Sequence, residues 1–278
     1  FYAHTRDGEL YFSSYKEHLE AAGLCDILRV KPYSVMDMET GEAIELPREK
    51  NDRALVICSG GLDSTAVAAY AVHQHEEVTL MHFQYGCIAQ TKELECIKNI
   101  AQDLDCDYTV MPIDYKFSAG SSKLFGSPDK ITTGVAGSEY AFEWVPARNL
   151  VMLALTVAYA EANGYSYIYL GTNLEESGAY PDNEEQFIRD FNACLYGAVQ
   201  NGKYVEIRTP VGNLMKHEIV KFGYQYNAPF RHTWSCYKDG DKPCGCCGPC
   251  FMRRTAFKRN GLTDPLEYPA VIEQDEVE

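Results

Sequence analysis

The sequence predicts an α/β protein: a parallel sheet with helices on both faces, joined to a cysteine-rich motif and a small β-rich appendage. Three observations carry this. Apolar runs rich in β-branched and aromatic residues alternate with longer stretches of helical spacing. One of those runs ends in the glycine pair of "SGGLDST", which reads as a strand turning into a helix. The first 50 residues show only short strand-like runs broken by turn pairs.

Taken in order, residues 1–50 carry "DGELYFSSYKEHL" and "KPYSVMDMETGEAIEL", interrupted at Asp7-Gly8 and Thr40-Gly41. The polar "PREKNDR" (47–53) marks the junction, so the expected domains are 1–50 and 51–278. Strands are expected at "ALVIC", "VTLMHFQ", "YTVMP", "SYIYLG" and "YVEIR", and helices at 63–75, 92–104, 149–163 and 185–199. In such a sheet, ligands gather at the carboxyl ends of the strands. The final "EQDEVE" reads as a mobile acidic tail.

Composition narrows the function. Hydrophobic residues at 46% and charged residues at 23% suit a packed globular protein. A net charge of −15 repels phosphate backbones, which argues against tight non-specific nucleic-acid binding. The basic run "RRTAFKR" (253–259) reads as a solvated helix face, with a local RNA or DNA contact as the rival reading. The longest apolar stretch, "NLVMLALTVAYAEA", falls short of the roughly 18–20 residues that span a bilayer, so no membrane role is expected. The chain shows no signal-peptide pattern and begins with Phe1 rather than Met, so a processed start or an upstream segment is expected. Eleven cysteines, five of them crowded into one stretch, suit a reducing, cytoplasmic setting with one metal site better than a disulfide framework.

The glycine turn is the first chemical motif. Two glycines let backbone amides approach an anion, and the following helix N-terminus points its positive end at it. The lysine of a Walker loop is missing here. "SGGLDST" instead resembles the PP-loop of the N-type ATP pyrophosphatases, which split ATP between its α and β phosphates and transfer AMP to a substrate oxygen. The resemblance implies that Cys58, Ser59, Gly60, Gly61, Leu62, Asp63, Ser64 and Thr65 hold the nucleotide. Asp63, at the turn–helix junction, can orient the loop or hold Mg²⁺.

The second motif is C-x7-C-x2-C-x2-C, formed by Cys236, Cys244, Cys247 and Cys250. Four thiolates so spaced can close a tetrahedron around Zn²⁺ and leave no open position, so the expected role is structural. Gly245 and Gly248 are expected to supply turns, and Cys246 to stay uncoordinated. A zinc-ribbon module is the rival reading.

Together with "VPARN" (145–149), "YLGTN", "SGAYPD", "PVGNLMKHEIVKFG" and "TWSCY", the two motifs resemble the QueC family of 7-cyano-7-deazaguanine synthases over roughly residues 54–262. That family adenylates the carboxylate of 7-carboxy-7-deazaguanine, lets ammonia displace AMP, and repeats the adenylation to reach the nitrile. The resemblance implies catalytic roles for Asp63, Ser64 and Lys216, and a substrate pocket of Arg148, Asn149, Gly171, Asn173, Tyr180 and Asp182. A carboxylate at 182 can accept two hydrogen bonds from a guanine-like edge. The bland alternatives are a loop-capping Arg148, a helix-capping Asp182 and a solvated Lys216. Glu175 and Glu176 can bind magnesium or form a charged loop. The sequence departs from the family twice: Asn183-Glu184 follow "YPD" where Cys-Arg is usual, and Cys87-Ile88-Ala89 follow Tyr85-Gly86 where Gln-Arg-His is usual. Each change removes cationic character near the expected site.

Residues 1–50 resemble the end of a class II glutamine amidotransferase domain, without its N-terminal cysteine. The expected activity is an ATP-dependent C–N ligase using ATP, Mg²⁺ and Zn²⁺, with a deazaguanine substrate and ammonia or another amine as donor. A homodimer and a macromolecular acceptor are compatible with it. The alternatives are amidation of a deazaguanine nitrile in tRNA or DNA, an asparagine-synthetase-like enzyme, and a non-catalytic nucleotide-binding module.

Overall fold

A computed structural model describes residues 1–30, 34–37, 39–115, 120, 122–127, 131, 144–178, 180–200 and 202–269. The expected acidic tail lies outside them. The chain divides into two compact units, one of Phe1–Lys50 with Ala193–Tyr204, the other of Asn51–Asn192 with Val205–Glu278.

The first unit holds two antiparallel hairpins, β1 (Tyr2–His4) with β2 (Leu10–Phe12) and β3 (Ser34–Met36) with β4 (Ala43–Glu45), and the helix α1 (Lys16–Ala21). Gly8 and Gly41 turn the hairpins at φ +88° and +73°, values that favour glycine. Arg48 lies over the rings of Tyr196 and Tyr204, at 4.7 and 4.6 Å.

The second unit is built on five parallel strands: β5 (Arg53–Ile57), β6 (Glu77–Gln84), β7 (Asp107–Pro112), β8 (Tyr167–Leu170) and β9 (Glu206–Arg208). Their order is β7-β6-β5-β8-β9. The helices are α2 (Leu62–Gln74), α3 (Gln90–Asp103), α4 (Arg148–Asn163), the short α5 (Leu174–Ser177), α6 (Glu185–Ala198, whose end belongs to the first unit), α7 (Lys216–Gln225) and α8 (Gly248–Arg259). Every strand and helix expected from the sequence of this unit is present to within about two residues, the scatter usual at element ends. Right-handed crossovers put α2 and α3 on one face of this order and α4 on the other.

The central strands are apolar throughout because both faces are covered: Ala54, Leu55, Val56, Leu80, Met81 and Ile168 are fully buried. Strand order reverses between β5 and β8, so a crevice opens at their carboxyl ends. The glycine turn follows β5 and Gly171 follows β8, which brings both to that crevice.

Three helices, α1, α5 and α7, have no counterpart in the expected set, and α8 begins five residues before the basic run that was read as a helix face. Gly248 is the first residue of α8 and so is not a turn glycine as expected, while Gly245 at φ +74° is. The basic run also differs from a plain solvated face. Arg254, Lys258 and Arg259 are exposed, but Arg253 is 1% exposed and held by Asp264 through Nε and Nη2 at 2.9 and 3.0 Å. A buried guanidinium needs that pairing, and it is unavailable to a polyanion. Among the described residues no helix is long and apolar enough to cross a membrane.

Candidate nucleotide and metal site

Ser59 and the two glycines leave β5 and enter α2 through a left-handed step, with Gly60 at φ +79°. A Cβ on Gly60 would sit 3.0 Å from the Cβ of Cys96 and 3.1 Å from the carbonyl of Glu93, so the turn is wedged against α3 and only glycine fits. Gly61 caps α2 without a side-chain hydrogen bond. The amides of the first helical turn, at Leu62, Asp63 and Ser64, therefore have no partner within the helix and face outward as donors. The Ser59 and Ser64 hydroxyls lie 3.3 Å apart beside them. Cys58 Sγ donates to Ser64 Oγ at 3.6 Å, and Thr65 Oγ1 ties back to the Gly61 carbonyl at 2.7 Å. Leu62 is buried beneath the turn.

Gly171 is required at the end of β8: a Cβ there would come within 2.9 Å of the Ser64 amide nitrogen. This close approach presses β8 onto the start of α2 and brings in Asn173, two residues on. Asn173 caps α5 by accepting from the Glu176 amide at 3.0 Å, and its Nδ2 donates to Asp63 Oδ2, also at 3.0 Å. Lys216, the first residue of α7, donates from Nζ to Asp63 Oδ2 at 2.5 Å and to Glu176 Oε1 at 3.1 Å. Its side chain is only 12% exposed, which rules out the solvated alternative.

Two carboxylates thus share one buried ammonium. Burial raises Asp63 above the usual carboxylate range; Lys216 opposes this and Glu176 reinforces it. Burial also pushes Glu176 upward, but Lys216 overcomes it and the net shift is down. Desolvation works against a charged Lys216, yet the two carboxylates hold it well above its ordinary value. Asp63 Oδ1 is buried and has no hydrogen-bond partner among the described residues. An unsatisfied buried carboxylate oxygen is costly, and this one belongs to the second residue of α2, directly after the glycine turn. Glu176, left between two readings by the sequence, belongs to this group.

The other expected pocket residues fall at the start of α4. Arg148 Nη1 donates to the Tyr85 hydroxyl at 3.2 Å. Asn149 donates from its backbone to Asp182 Oδ2 at 2.9 Å and from Nδ2 to Asn183 Oδ1 at 2.5 Å. Asp182 therefore caps α4 with one oxygen, and Asn183, one of the departures from the family pattern, is bonded into the same cluster. Tyr180 stacks on Trp144 at 5.5 Å between ring centroids.

Sequence reasoning missed Glu93 in the first turn of α3. Cys87 Sγ donates to its Oε2 at 3.7 Å. Burial pushes the Glu93 carboxyl up to about 7, against the attraction of Arg148 and the Cys87 hydrogen bond. Helical spacing alone could not single it out, because its partners lie on separate elements.

The sulfurs of Cys236, Cys244, Cys247 and Cys250 all lie within 4.8 Å of one another, and Cys246 is outside the group. Backbone amides aim at the cluster: Lys238 and Cys244 donate to Cys236 Sγ at 3.4 and 3.3 Å, and Cys247 donates to Cys244 Sγ at 3.4 Å. Such amide donors stabilise thiolates, and the donor set fits a tetrahedral Zn²⁺.

Comparison with known proteins identifies the family. The family model for queuosine biosynthesis protein QueC matches residues 53–261. A 7-cyano-7-deazaguanine synthase of Sulfolobus acidocaldarius is 46% identical over 271 residues, 95% of this chain and 59% of the relative. The corresponding synthase of Methanothrix thermoacetophila is 38% identical over 229 residues, 78% of this chain and 98% of its own length. The chain therefore spans little more than half the length of the Sulfolobus protein and nearly all of the Methanothrix one. Among solved structures, the NH3-dependent NAD synthetase from Campylobacter jejuni aligns over 66% of this chain and 68% of its own, at 18% identity and a TM-score of 0.38, too remote to carry an argument. The chain belongs to the QueC family.

Proposed function

We propose that this chain carries an ATP-dependent C–N ligase that adenylates the carboxylate of 7-carboxy-7-deazaguanine and passes the acyl group to nitrogen. With ammonia the first product is the amide; a second ATP then adenylates the amide oxygen, and loss of AMP with that oxygen and of the remaining N–H protons leaves 7-cyano-7-deazaguanine. The observation that carries the reading is the donor-rich turn at Gly60 beside the buried Asp63–Lys216–Glu176 group at the strand switch point.

In this reading the Leu62–Ser64 amides and the Ser59 and Ser64 hydroxyls hold the departing pyrophosphate, and Lys216 offsets charge that develops as the α–β bond breaks. Asp63, through its spare Oδ1, and Glu176 are the carboxylates that would hold Mg²⁺, which supplies charge neutralisation on the phosphates. Arg148 pairs with the substrate carboxylate, while Tyr180 and the remaining oxygen of Asp182 line the base. When ammonia attacks the acyl carbon, the C–N bond forms and the bond to AMP breaks with its electron pair leaving on AMP. The surplus proton moves to the Glu93 carboxylate, whose pKa of about 7 suits an acceptor near neutral pH. The four cysteines would hold Zn²⁺ in a closed shell that fixes the chain.

Asn183, bonded to Asn149 in place of the family's cysteine, supports a second reading in which the nucleophile is an amine of a macromolecular partner, or a nitrile in tRNA or DNA is amidated. One assay separates these readings from a non-catalytic module. With ATP, the deazaguanine carboxylate and ammonium, the protein is expected to release pyrophosphate and AMP only when the carboxylate is present. Release that appears only with a nucleic-acid or protein acceptor favours the second reading. No release with any acceptor overturns both.

A further inference from the structure

The cysteine cluster and the phosphate turn are joined by one short path. Trp234 donates its backbone N–H to the Gly60 carbonyl at 2.8 Å, and its own carbonyl lies 3.8 Å from where a Cβ on Gly61 would be. Trp234 is two residues before Cys236, and its indole nitrogen donates to the Lys238 carbonyl at 3.0 Å, which closes the backbone around that cysteine. On the other side, Thr233 Oγ1 accepts from Arg253 Nη1 at 2.5 Å, and Arg253 Nη2 donates to the Phe230 carbonyl at 3.2 Å. Arg253 is in α8 one turn after Cys250, and Cys247 caps that helix. The segment that buttresses Gly60 is therefore pinned at one end by Cys236 and clamped from the side by a helix that begins in the same cluster.

We infer that metal occupancy of the four-cysteine site sets nucleotide affinity, with Arg253 and Thr233 as positioning residues that hold Trp234 against Gly60. Glycine is free to adopt many conformations, and the Trp234 amide, bonded to the Gly60 carbonyl from outside the turn, favours the left-handed one seen here. With the cysteines closed around a metal, residues 233–236 have one position and the turn amides are preset. Without it, the buttress loses one anchor and the turn must be ordered by the nucleotide itself, which weakens binding. Linkage is reciprocal, so a bound nucleotide must tighten the metal by the same factor.

The inference rests on the ATP reading above, and the test keeps the two apart. The probe is α,β-methylene-ATP with Mg²⁺, its affinity measured by calorimetry, and zinc release is followed with a chromogenic chelator. In the wild-type protein, saturating analogue is expected to slow zinc release about tenfold, within the usual range of coupling between sites. Thr233→Val keeps the shape of the side chain and removes the hydroxyl that accepts from Arg253 and donates to the Phe230 carbonyl, leaving Ser235 Oγ, at 3.4 Å, as the remaining acceptor for Arg253 Nη1. It is expected to retain one zinc per chain and an unchanged circular dichroism spectrum. Its analogue affinity should be about tenfold weaker, and the nucleotide should no longer slow zinc release. Arg253→Lys should restore part of the affinity that Arg253→Met loses. If the wild type binds the analogue and zinc leaves equally fast with and without it, the coupling is overturned while the ATP reading stands. If the analogue does not bind at all, the ATP reading fails and this inference with it.

Discussion

The glycine turn and the cysteine cluster are both small polar devices in one unit, but they use their polar atoms in opposite ways. At the turn, atoms are held in reserve: three helix-start amides lack intrahelical partners, and Asp63 Oδ1 is buried with no partner among the described residues. In the cluster, four sulfurs converge on one another and collect amide donors from Lys238, Cys244 and Cys247. An open site carries an energetic cost that a passing ligand can relieve, whereas a closed one spends its binding energy on the fold. The difference predicts which perturbations strike stability and which strike turnover.

The largest effect should come from the closed site. With Zn²⁺ in the cluster, as proposed, removing it or replacing Cys244 by Ser should forfeit metal-binding free energy on the order of 10 kcal/mol, much of it folding energy. The expected outcome is loss of zinc by elemental analysis and loss of hydrogen-exchange protection across residues 233–259, with the central strands still protected. Protection lost equally across the sheet would show that the cluster is not a local staple.

At the open site the expected loss is catalytic. Asp63→Ala should lower AMP formation by about 10²–10³-fold. Thermal stability should change little, because Glu176 still accepts from Lys216 at 3.1 Å. A folded variant that releases AMP at the wild-type rate would remove the turn from the chemistry.

The contrast also bears on what could be read from the sequence. The central strands β5, β6 and β8 were legible because strands buried on both faces read as unbroken apolar runs, whereas the less buried edge strands β7 and β9 were legible from β-branched and aromatic residues. The cysteine ligands were legible because local spacing defines them. The start of α8 was hidden by Gly248 and Cys250, although Pro249 at its first turn is a helix-start signal; only its basic second half read as helix. What stayed illegible is long-range. Glu176 looked like part of a charged loop until α7 delivered Lys216 to it, and Trp234 meets Gly60 only in the folded chain. Arg253 looked like a solvated cation because Asp264, which neutralises it, lies beyond the helix end.

A smaller effect should appear at Glu93 and run in opposite directions for stability and rate. Its folded pKa of about 7 lies above the ordinary glutamate value of 4.5, so the folded state binds more protons between those pH values than the unfolded state. Stability contributed by this group is full below about pH 4.5 and falls as pH rises towards about 7. Glu93→Gln should therefore raise stability at pH 8 by on the order of 1–3 kcal/mol and leave it unchanged near pH 4. The same variant should keep carboxylate-dependent ATP–pyrophosphate exchange and lose amide formation at pH 8. Denaturant melts at both pH values, paired with the two half-reactions, check both arms.

The smallest effect separates two uses of one carboxylate. Asp182→Asn keeps an oxygen for the Asn149 amide, so the melting temperature should hold, while KM for the deazaguanine rises several-fold. Asp182→Ala should in addition cost about 1 kcal/mol, the value of a helix cap. A KM unmoved in both variants would leave Asp182 with capping alone.

The claim that joins the open site to its chemistry is that AMP goes to a carboxylate oxygen of the substrate. Supplying 7-carboxy-7-deazaguanine labelled with ¹⁸O in its carboxylate, and weighing the nucleotide products by mass spectrometry, tests it most directly. The account predicts AMP carrying one ¹⁸O and unlabelled pyrophosphate. Unlabelled AMP, or ADP with labelled phosphate, would contradict it.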